Sequence, residues 1–254
     1  VIPPWVKHEF QEISDIVAKL RYACGSNDCE YCRENNDSEK LLKKYFGFNE
    51  YRRLPDGRKL QKEIIDSSLA GNSLLGILPT GGGKSICYQI PALHRYHRTG
   101  ELTVVISPLK ALMKDQVDNL NKTTGMESAS AINGSLTLPE RGNVMEKVRL
   151  GDIGVLYISP EQLRNFSVAE LIGTRDVGCW VFDEAHCLSK WGHDFRPDYL
   201  NVAEFILEQN RRAVSPPLIG AFTATAKKDV IEEICGHFNE KLELDLVPFI
   251  SEVQ

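Results

Sequence analysis

Five short apolar runs do most to limit what this chain can fold into: Leu74 to Leu78, Val104 to Ile106, Val155 to Ile158, Trp180 to Phe182 and Leu218 to Phe222. None alternates apolar with polar residues, so each predicts a strand buried on both faces, as in a parallel sheet covered by helices on each side. Each run ends in small or polar residues and leads into a segment with helical patterning. The predicted fold class is therefore α/β, a mainly parallel sheet flanked by helices, whose ligands sit beyond the carboxyl ends of the strands. Chemistry is to be sought in the residues directly after each run.

A chain of 254 residues with 42% hydrophobic residues can bury one substantial core but not two full α/β domains. Residues 1–49 are polar, cysteine-bearing and without a strand run, and read as a mostly helical extension. Residues 50–240 read as the main domain, and residues 241–254 as a last strand with a linker. Ala213 to Pro217 reads as a loop. The net charge of -5 excludes a surface that attracts polyanions as a whole, so any nucleic acid must be held locally. No apolar run approaches the roughly 18 to 20 residues of a membrane span, and no secretory pattern opens the chain. The expectation is a soluble intracellular protein with no membrane partner. The seven cysteines are odd in number and scattered, and read as reduced thiols rather than a disulfide framework.

After the first run comes Pro79-Thr80-Gly81-Gly82-Gly83-Lys84-Ser85, leading into a helix expected to begin near Ile86. The glycines let backbone N–H groups turn toward a phosphate, Lys84 neutralises β/γ charge, and the Ser85 hydroxyl can ligate Mg²⁺. The fourth run ends in Asp183-Glu184-Ala185-His186. There Asp183 can hold Mg²⁺ and Glu184 can orient the water that attacks a γ-phosphate. Arg58 to Ala70 reads as a helix closed by Gly71, with Leu60, Ile64, Ile65 and Leu69 on one face. Gln61 falls within that apolar arc, where a buried amide needs partners; an adenine edge would supply both a donor and an acceptor, with Arg58 one turn earlier.

Two further run ends share a design, Ser107-Pro108 and Ser159-Pro160. Serine at N-cap with proline at the first helical position predicts two free helix N-termini able to hold a nucleic-acid backbone without reading bases. Lys110 and Lys114 are left for solvent or phosphate by the apolar face of Leu109, Leu112, Met113, Val117 and Leu120. Beyond the acidic motif, Trp191, Phe195 and Tyr199 interleave with Lys190, His193 and Arg196 beside Gly192 and Pro197. That composition predicts a loop on which unpaired bases stack. In the extension, Cys24, Cys29 and Cys32 offer three thiolates for Zn²⁺, with His8 or a residue from a missing domain as a fourth ligand; reduced structural thiols are the alternative.

From about Gln61 onward these motifs, in this order, resemble the RecQ-type DNA helicases of the second large helicase superfamily. Leu78 to Ser85 resembles motif I in a form that commonly lacks the first glycine. Ser107 to Gln116 is similar to motif Ia, Ser159 to Leu163 to the following strand-binding motif, and Asp183 to His186 to motif II. Thr223 and Thr225 resemble motif III, which links the ATP site to strand binding. Trp191 to Tyr199 resembles the aromatic-rich loop that couples single-stranded DNA contact to hydrolysis. The resemblance implies the first RecA-like motor domain of an ATP-dependent DNA helicase of 3′–5′ type, using ATP and Mg²⁺ and acting on single-stranded and duplex DNA. It implies Lys84, Asp183, Glu184 and His186 as catalytic residues, and a site of action in the cytoplasm or nucleoid of a bacterium or the nucleus of a eukaryote.

The chain departs from the family pattern before Gln61, where Phe46-Gly47-Phe48 lies farther from Arg58 than usual; Phe48 and Tyr51 are both candidates to stack on adenine. It also ends near where a second RecA-like domain of the same parent chain would begin, and without that domain's arginine the fragment is expected to bind ATP but hydrolyse it weakly. Two other functions fit the same residues: a translocase that remodels protein–DNA complexes, and a nucleotide-gated binding module. Phosphate contacts alone leave RNA open as the substrate.

Overall fold

The structure is a computed structural model that describes residues 9–24, 26, 28–190, 194–210, 216–224 and 227–251. The five apolar runs form strands, joined by two more, in the order β1 (Leu74–Ile77), β2 (Leu102–Ile106), β3 (Ala129–Ile132), β4 (Val155–Ile158), β5 (Val177–Asp183), β6 (Leu218–Thr223) and β7 (Val247–Ile250). All pairings are parallel, and the sheet runs β3-β4-β2-β5-β6-β1-β7. The strand β3 carries no long apolar run to announce it. Its Ala129 and Ile132 are buried and the two residues between them half-buried, which suits a short strand at the sheet's margin. At the other margin β7 contains Pro248, tolerated because an edge strand need not pair on both sides.

Side chains of the inner strands alternate between two cores, the period-2 consequence of extended backbone. Trp180 and Phe182 face one core with Val104, Ile106 and Ile158, while Val181 and Val105 face the other with Tyr157. The second core is closed by α3 (Ser38–Phe46), α4 (Leu60–Leu69), α5 (Lys84–Thr99) and α6 (Lys110–Thr124). The first is closed by α7 (Leu138–Leu150), α8 (Phe166–Gly173), α9 (Pro197–Asn210) and α10 (Lys228–Leu242). Gly76 in β1 is required by close approach: a Cβ there would lie 2.8 Å from the Phe222 ring of β6. The extension contains α1 (Gln11–Leu20) and α2 (Glu30–Asn35) ahead of α3, in keeping with a mostly helical segment. Among the described residues, no helix is long and apolar enough to cross a membrane.

Several expected boundaries move. The helix after the triglycine turn begins at Lys84 rather than Ile86, so the lysine itself opens the helix. The helix containing Gln61 starts at Leu60, two residues after Arg58. Ser107 is not an N-cap: α6 starts at Lys110 with Leu109 in that position and no side-chain cap. Ser159 does occupy an N-cap followed by Pro160, but of a 3-10 turn, Pro160–Arg164, rather than an α-helix. Tyr199 belongs to α9 rather than to a loop. Of the loop expected over residues 213–217, residues 213–215 lie outside the described residues.

Candidate active site

Strand order sets the site. The turn after β1, the acids after β5 and Thr223 at the end of β6 emerge from adjacent strands, with β6 in the middle. Thr223 is fully buried and its carbonyl accepts from the Leu78 N–H at 3.1 Å, tying the start of the glycine turn to the middle strand. Within the turn the Gly82 N–H donates to the Pro79 carbonyl at 2.8 Å. Gly83 has φ of +77°, and a Cβ on it would lie 2.2 Å from Gln61 Nε2. Only glycine meets both conditions. Thr80 and Gly81 are exposed, and Gly82, Gly83 and Ser85 half-buried, so this face of the turn is open to solvent.

Gln61, 5% exposed, finds its partners in the turn: Nε2 donates to the carbonyls of Gly82 and Gly83 at 3.1 and 3.2 Å, and Oε1 accepts from the Arg52 N–H at 3.3 Å. The Arg52 guanidinium donates to the Gly81 carbonyl. Arg52 was not singled out by the sequence, where an exposed arginine carries no signal. Arg58 is turned to Glu63, its Nη2 2.7 Å from Oε2. Tyr51 is 3% exposed and its hydroxyl donates to the Ser38 carbonyl at 2.7 Å, so it is a core residue and no longer a candidate for adenine stacking. Phe48, 52% exposed, keeps that possibility.

Lys84 Nζ lies 3.1 Å from Glu184 Oε1, which brings the turn and the acidic pair face to face. Glu184 is one of two non-glycine residues with positive φ among the described residues, at 51°. Holding a glutamate there costs about 1–3 kcal/mol, a strain of the kind that collects at functional sites. Its Oε2 lies 3.4 Å from His186 Nδ1, and that nitrogen is 3.0 Å from Thr223 Oγ1. A continuous chain of contacts thus runs from Lys84 through Glu184 and His186 to Thr223. The interaction with His186, then the charge of Lys84, lower the Glu184 carboxyl below its usual range despite partial burial. The neighbouring Cys187 and Glu184 raise His186 to about 10, so it is an imidazolium at neutral pH. Asp183 is 4% exposed, and burial, reinforced by the adjacent Glu184 charge, raises it to about 6 against the pull of Lys84. The Asp183 carboxylate and the Ser85 hydroxyl of the turn are both oxygen donors, the chemistry that suits a hard divalent cation.

The other half of the carboxyl edge is built differently. Ser107 and Ser159 are both 1% exposed, and the Ser159 hydroxyl donates to Glu161 Oε1 at 2.7 Å. Their hydroxyls are part of the packing and neither caps a helix through its side chain; Ser159 keeps its N-cap place, at a 3-10 turn, and Ser107 does not. What this half does expose is Lys110 and the uncapped start of α6. Of the aromatic segment, Trp191 and His193 lie outside the described residues, as does Thr225. Phe195 and Arg196 are half-buried. Arg196 bridges the halves, its Nη1 donating to the carbonyl of buried Pro108 at 3.2 Å while its N–H donates to the Cys187 carbonyl at 3.0 Å. Tyr199 is fully buried, donating to the Asp183 carbonyl at 2.8 Å; it anchors the acidic strand end and does not stack on bases. On the other side Glu233 of α10 accepts from Ser189 Oγ at 2.5 Å and the Lys190 N–H at 3.3 Å. Nothing in the sequence marked Glu233, because its partners lie more than forty residues away.

A family model described as DEAD/DEAH box helicase matches residues 58–234. The chain belongs to that family. Among DEAD/DEAH box helicases it is similar to the probable ATP-dependent DNA helicase RecS of Bacillus subtilis, 40% identical over 77% of this chain and 36% of that protein. It is 41% identical to the ATP-dependent DNA helicase RecQ of Haemophilus influenzae, over 79% of this chain and 30% of that protein. The ATP-dependent helicase SGS1 of Saccharomyces cerevisiae is 36% identical over 90% of this chain and 15% of its own length. The chain thus spans about a third of the bacterial relatives and less of the yeast one. Among solved structures, the DUF1998 helicase MrfA matches with a TM-score of 0.64 at 18% identity, covering 85% of this chain and 33% of that one. The Mycobacterium smegmatis helicase Lhr, solved with single-stranded DNA and AMP-PNP, gives 0.63 at 19%, covering 82% and 27%. These two likenesses speak for the fold.

Proposed function

We propose that this chain is the ATP-binding motor half of a RecQ-type DNA helicase, in which ATP hydrolysis drives movement along single-stranded DNA and separation of the duplex inside the cell. The observation that carries the proposal is the 3.1 Å contact between Lys84 and Glu184 across the carboxyl ends of β1 and β5, with Asp183 buried beside it. Residues 50–240 form the motor body, and a second RecA-like domain of the parent chain completes the site.

The same contact suggests how the site responds to nucleotide. Lys84 and Glu184 neutralise each other while no phosphate is present. An entering triphosphate gives the ammonium better partners, and its transfer to β/γ oxygens releases the Glu184 carboxylate to accept a hydrogen bond from the attacking water. Ser85 and Asp183 would hold Mg²⁺, which supplies charge neutralisation at the β and γ oxygens. Gln61 would exchange the Gly82 and Gly83 carbonyls for an adenine edge, so base recognition and the shape of the phosphate turn are linked through one amide. Thr223, by way of His186, would sense the state of Glu184. Lys110, Arg196, Phe195 and the neighbouring Trp191 and His193 would hold the strand; Arg58 and Thr225 keep supporting roles at the base and coupling positions.

The test is ATP turnover by the parent protein with and without single-stranded DNA and RNA, alongside Glu184→Gln. DNA-stimulated turnover that vanishes in the variant, with nucleotide still bound, is the expected result. Tight nucleotide and DNA binding with no turnover in the unmodified protein would replace the motor by a nucleotide-gated clamp.

A further inference from the structure

Away from the nucleotide site, Cys24, Cys29 and Cys32 bring three thiol sulfurs within 4.8 Å of one another. Of the remaining cysteines, Cys87, Cys179 and Cys187 are buried and Cys235 is half-buried on α10. An unpaired cysteine normally behaves as a small apolar side chain and goes inside. These three instead converge on a polar segment at the surface, where packing gives them no reason to meet. Cys24 and Cys32 sulfurs are 3.5 Å apart, and the Cys24 N–H points at Cys32 Sγ at 3.4 Å.

The distances discriminate between two uses of such a cluster. Zinc–sulfur bonds of about 2.3 Å at tetrahedral angles put two bound sulfurs roughly 3.8 Å apart, whereas a disulfide needs about 2.05 Å. Separations of 3.5 to 4.8 Å therefore reach the zinc geometry with shifts of about 1 Å or less. Three soft donors also disfavour magnesium or calcium, and an iron–sulfur cluster would ordinarily take four cysteines. A second observation points the same way. The helix α2 that carries Cys32 has six residues and none of them is buried. So short a helix is marginal in water without a staple.

We propose that Cys24, Cys29 and Cys32 bind one zinc ion as thiolates and that this knuckle fastens the N-terminal extension to the motor body; His8, offered by the sequence as a fourth ligand, lies outside the described residues. The Ala23 N–H donates to the Leu69 carbonyl at the end of α4, and Arg98 near the end of α5 donates to the Tyr31 hydroxyl at 3.0 Å and to Asn36 Oδ1 at 2.7 Å. Arg98 and Lys84 stand at opposite ends of α5, about 20 Å apart at 1.5 Å per residue. The ion therefore has a structural task and takes no part in phosphate chemistry.

The experiment is metal analysis of the protein purified under reducing, chelator-free conditions. The expected result is about one zinc per chain, lost in Cys24→Ser, Cys29→Ser and Cys32→Ser, and kept in Cys235→Ser. Cobalt substitution should give a thiolate-to-metal charge-transfer band that weakens in each of the three variants, while nucleotide affinity stays within twofold of the unmodified protein. Should a variant fail to fold, alkylation of the unmodified protein supplies the same information: the three cysteines should be shielded with zinc and labelled after chelation. Substoichiometric zinc with all thiols reduced, a Cys24–Cys32 disulfide found by mass spectrometry, or labelling indifferent to chelator would each overturn the proposal.

Discussion

Along the carboxyl edge of the sheet, the half formed by β5, β6 and β1 concentrates charged side chains that already have partners, while the half formed by β2, β4 and β3 presents lysine and backbone over buried hydroxyls. In the first half Lys84, Glu184, His186 and Thr223 form one chain of contacts from strand to strand. In the second, Ser107 and Ser159 sit at 1% exposure and Lys110 stands in solvent. The difference follows from the two tasks proposed for them. Bond breaking at phosphorus calls for charges fixed before substrate arrives, since preorganised groups in a sheltered site act without reorganising. Holding a moving strand calls for contacts that form and break, for which exposed cations and N–H groups are suited.

The sharpest way to break this comparison is to remove charge from the ordered half. Lys84→Ala or Glu184→Gln is expected to lower ATP turnover of the parent protein by about 100- to 1000-fold, the usual loss for one preorganised electrostatic group. A loss of only a few-fold would mean that this half tolerates change as a binding surface does, and the contrast would fail. Equilibrium binding of a non-hydrolysable nucleotide separates the two variants: Lys84→Ala loses affinity, whereas Glu184→Gln keeps it.

Proton linkage should produce the next largest effect. Burial raises Asp183 to about 6, so between its ordinary value of 3.8 and that point the folded protein holds a proton that an unfolded chain has released. The sign is the reverse of a salt-bridged aspartate: this group's contribution to stability falls as pH rises through the window. A divalent cation must displace the proton, so magnesium-nucleotide affinity should climb by up to about tenfold per pH unit below about 6 and level off above it. His186, raised to about 10, stays charged throughout and adds no inflection. Calorimetric titration between pH 5 and pH 8 reads this directly. The nucleotide's terminal phosphate titrates in the same range, so the comparison is with Asp183→Asn: identical profiles in the two proteins would remove Asp183 from the cation site.

How much of this was legible in the sequence follows the same division. The runs at Val155 and Leu218 became strands because residues buried on both faces of a parallel sheet must be apolar, and that demand is written in each residue. Lys84, Asp183 and Glu184 were legible because chemistry fixes their type and spacing. Ser107 was misread because Ser-Pro is a local signal, and in this chain the backbone bends at Pro108 and is extended at Leu109 before α6 begins. Tyr199 was misread because an aromatic beside charges looks alike in a loop and in the first turn of a helix. Its burial depends on the Asp183 carbonyl sixteen residues away. Glu233 and Arg52 had no signal, since each acts on backbone or hydroxyl groups that sequence does not bring near them.

Glu233 offers a way to sharpen the contrast where the halves meet. It holds the segment at Ser189 and Lys190, directly before the aromatic residues, and touches none of Lys84, Asp183 or Glu184. Glu233→Ala is expected to leave DNA-free turnover unchanged and to cut stimulation by single-stranded DNA several-fold, with Glu233→Gln recovering part of it by retaining one acceptor. Equal loss of free and stimulated turnover in both variants would make Glu233 a stability residue only.

The smallest effect is expected at Lys110, and it tests what the strand-binding half is made of. This lysine is exposed at the first position of α6, and a Cβ at Gly134 would lie 3.4 Å from its Nζ, so the ammonium reaches across toward the segment after β3. A phosphate contact there adds affinity without regard to base identity and releases roughly one counterion. Lys110→Ala should therefore weaken single-stranded DNA binding only a few-fold at moderate salt, by a similar factor for every sequence, and reduce the slope of log affinity against log salt by about 0.7. Titrations of fluorescent oligonucleotides at several salt concentrations measure both quantities. A slope equal to that of the unmodified protein would place the backbone away from α6, and a loss that depends on base composition would assign Lys110 to base contact.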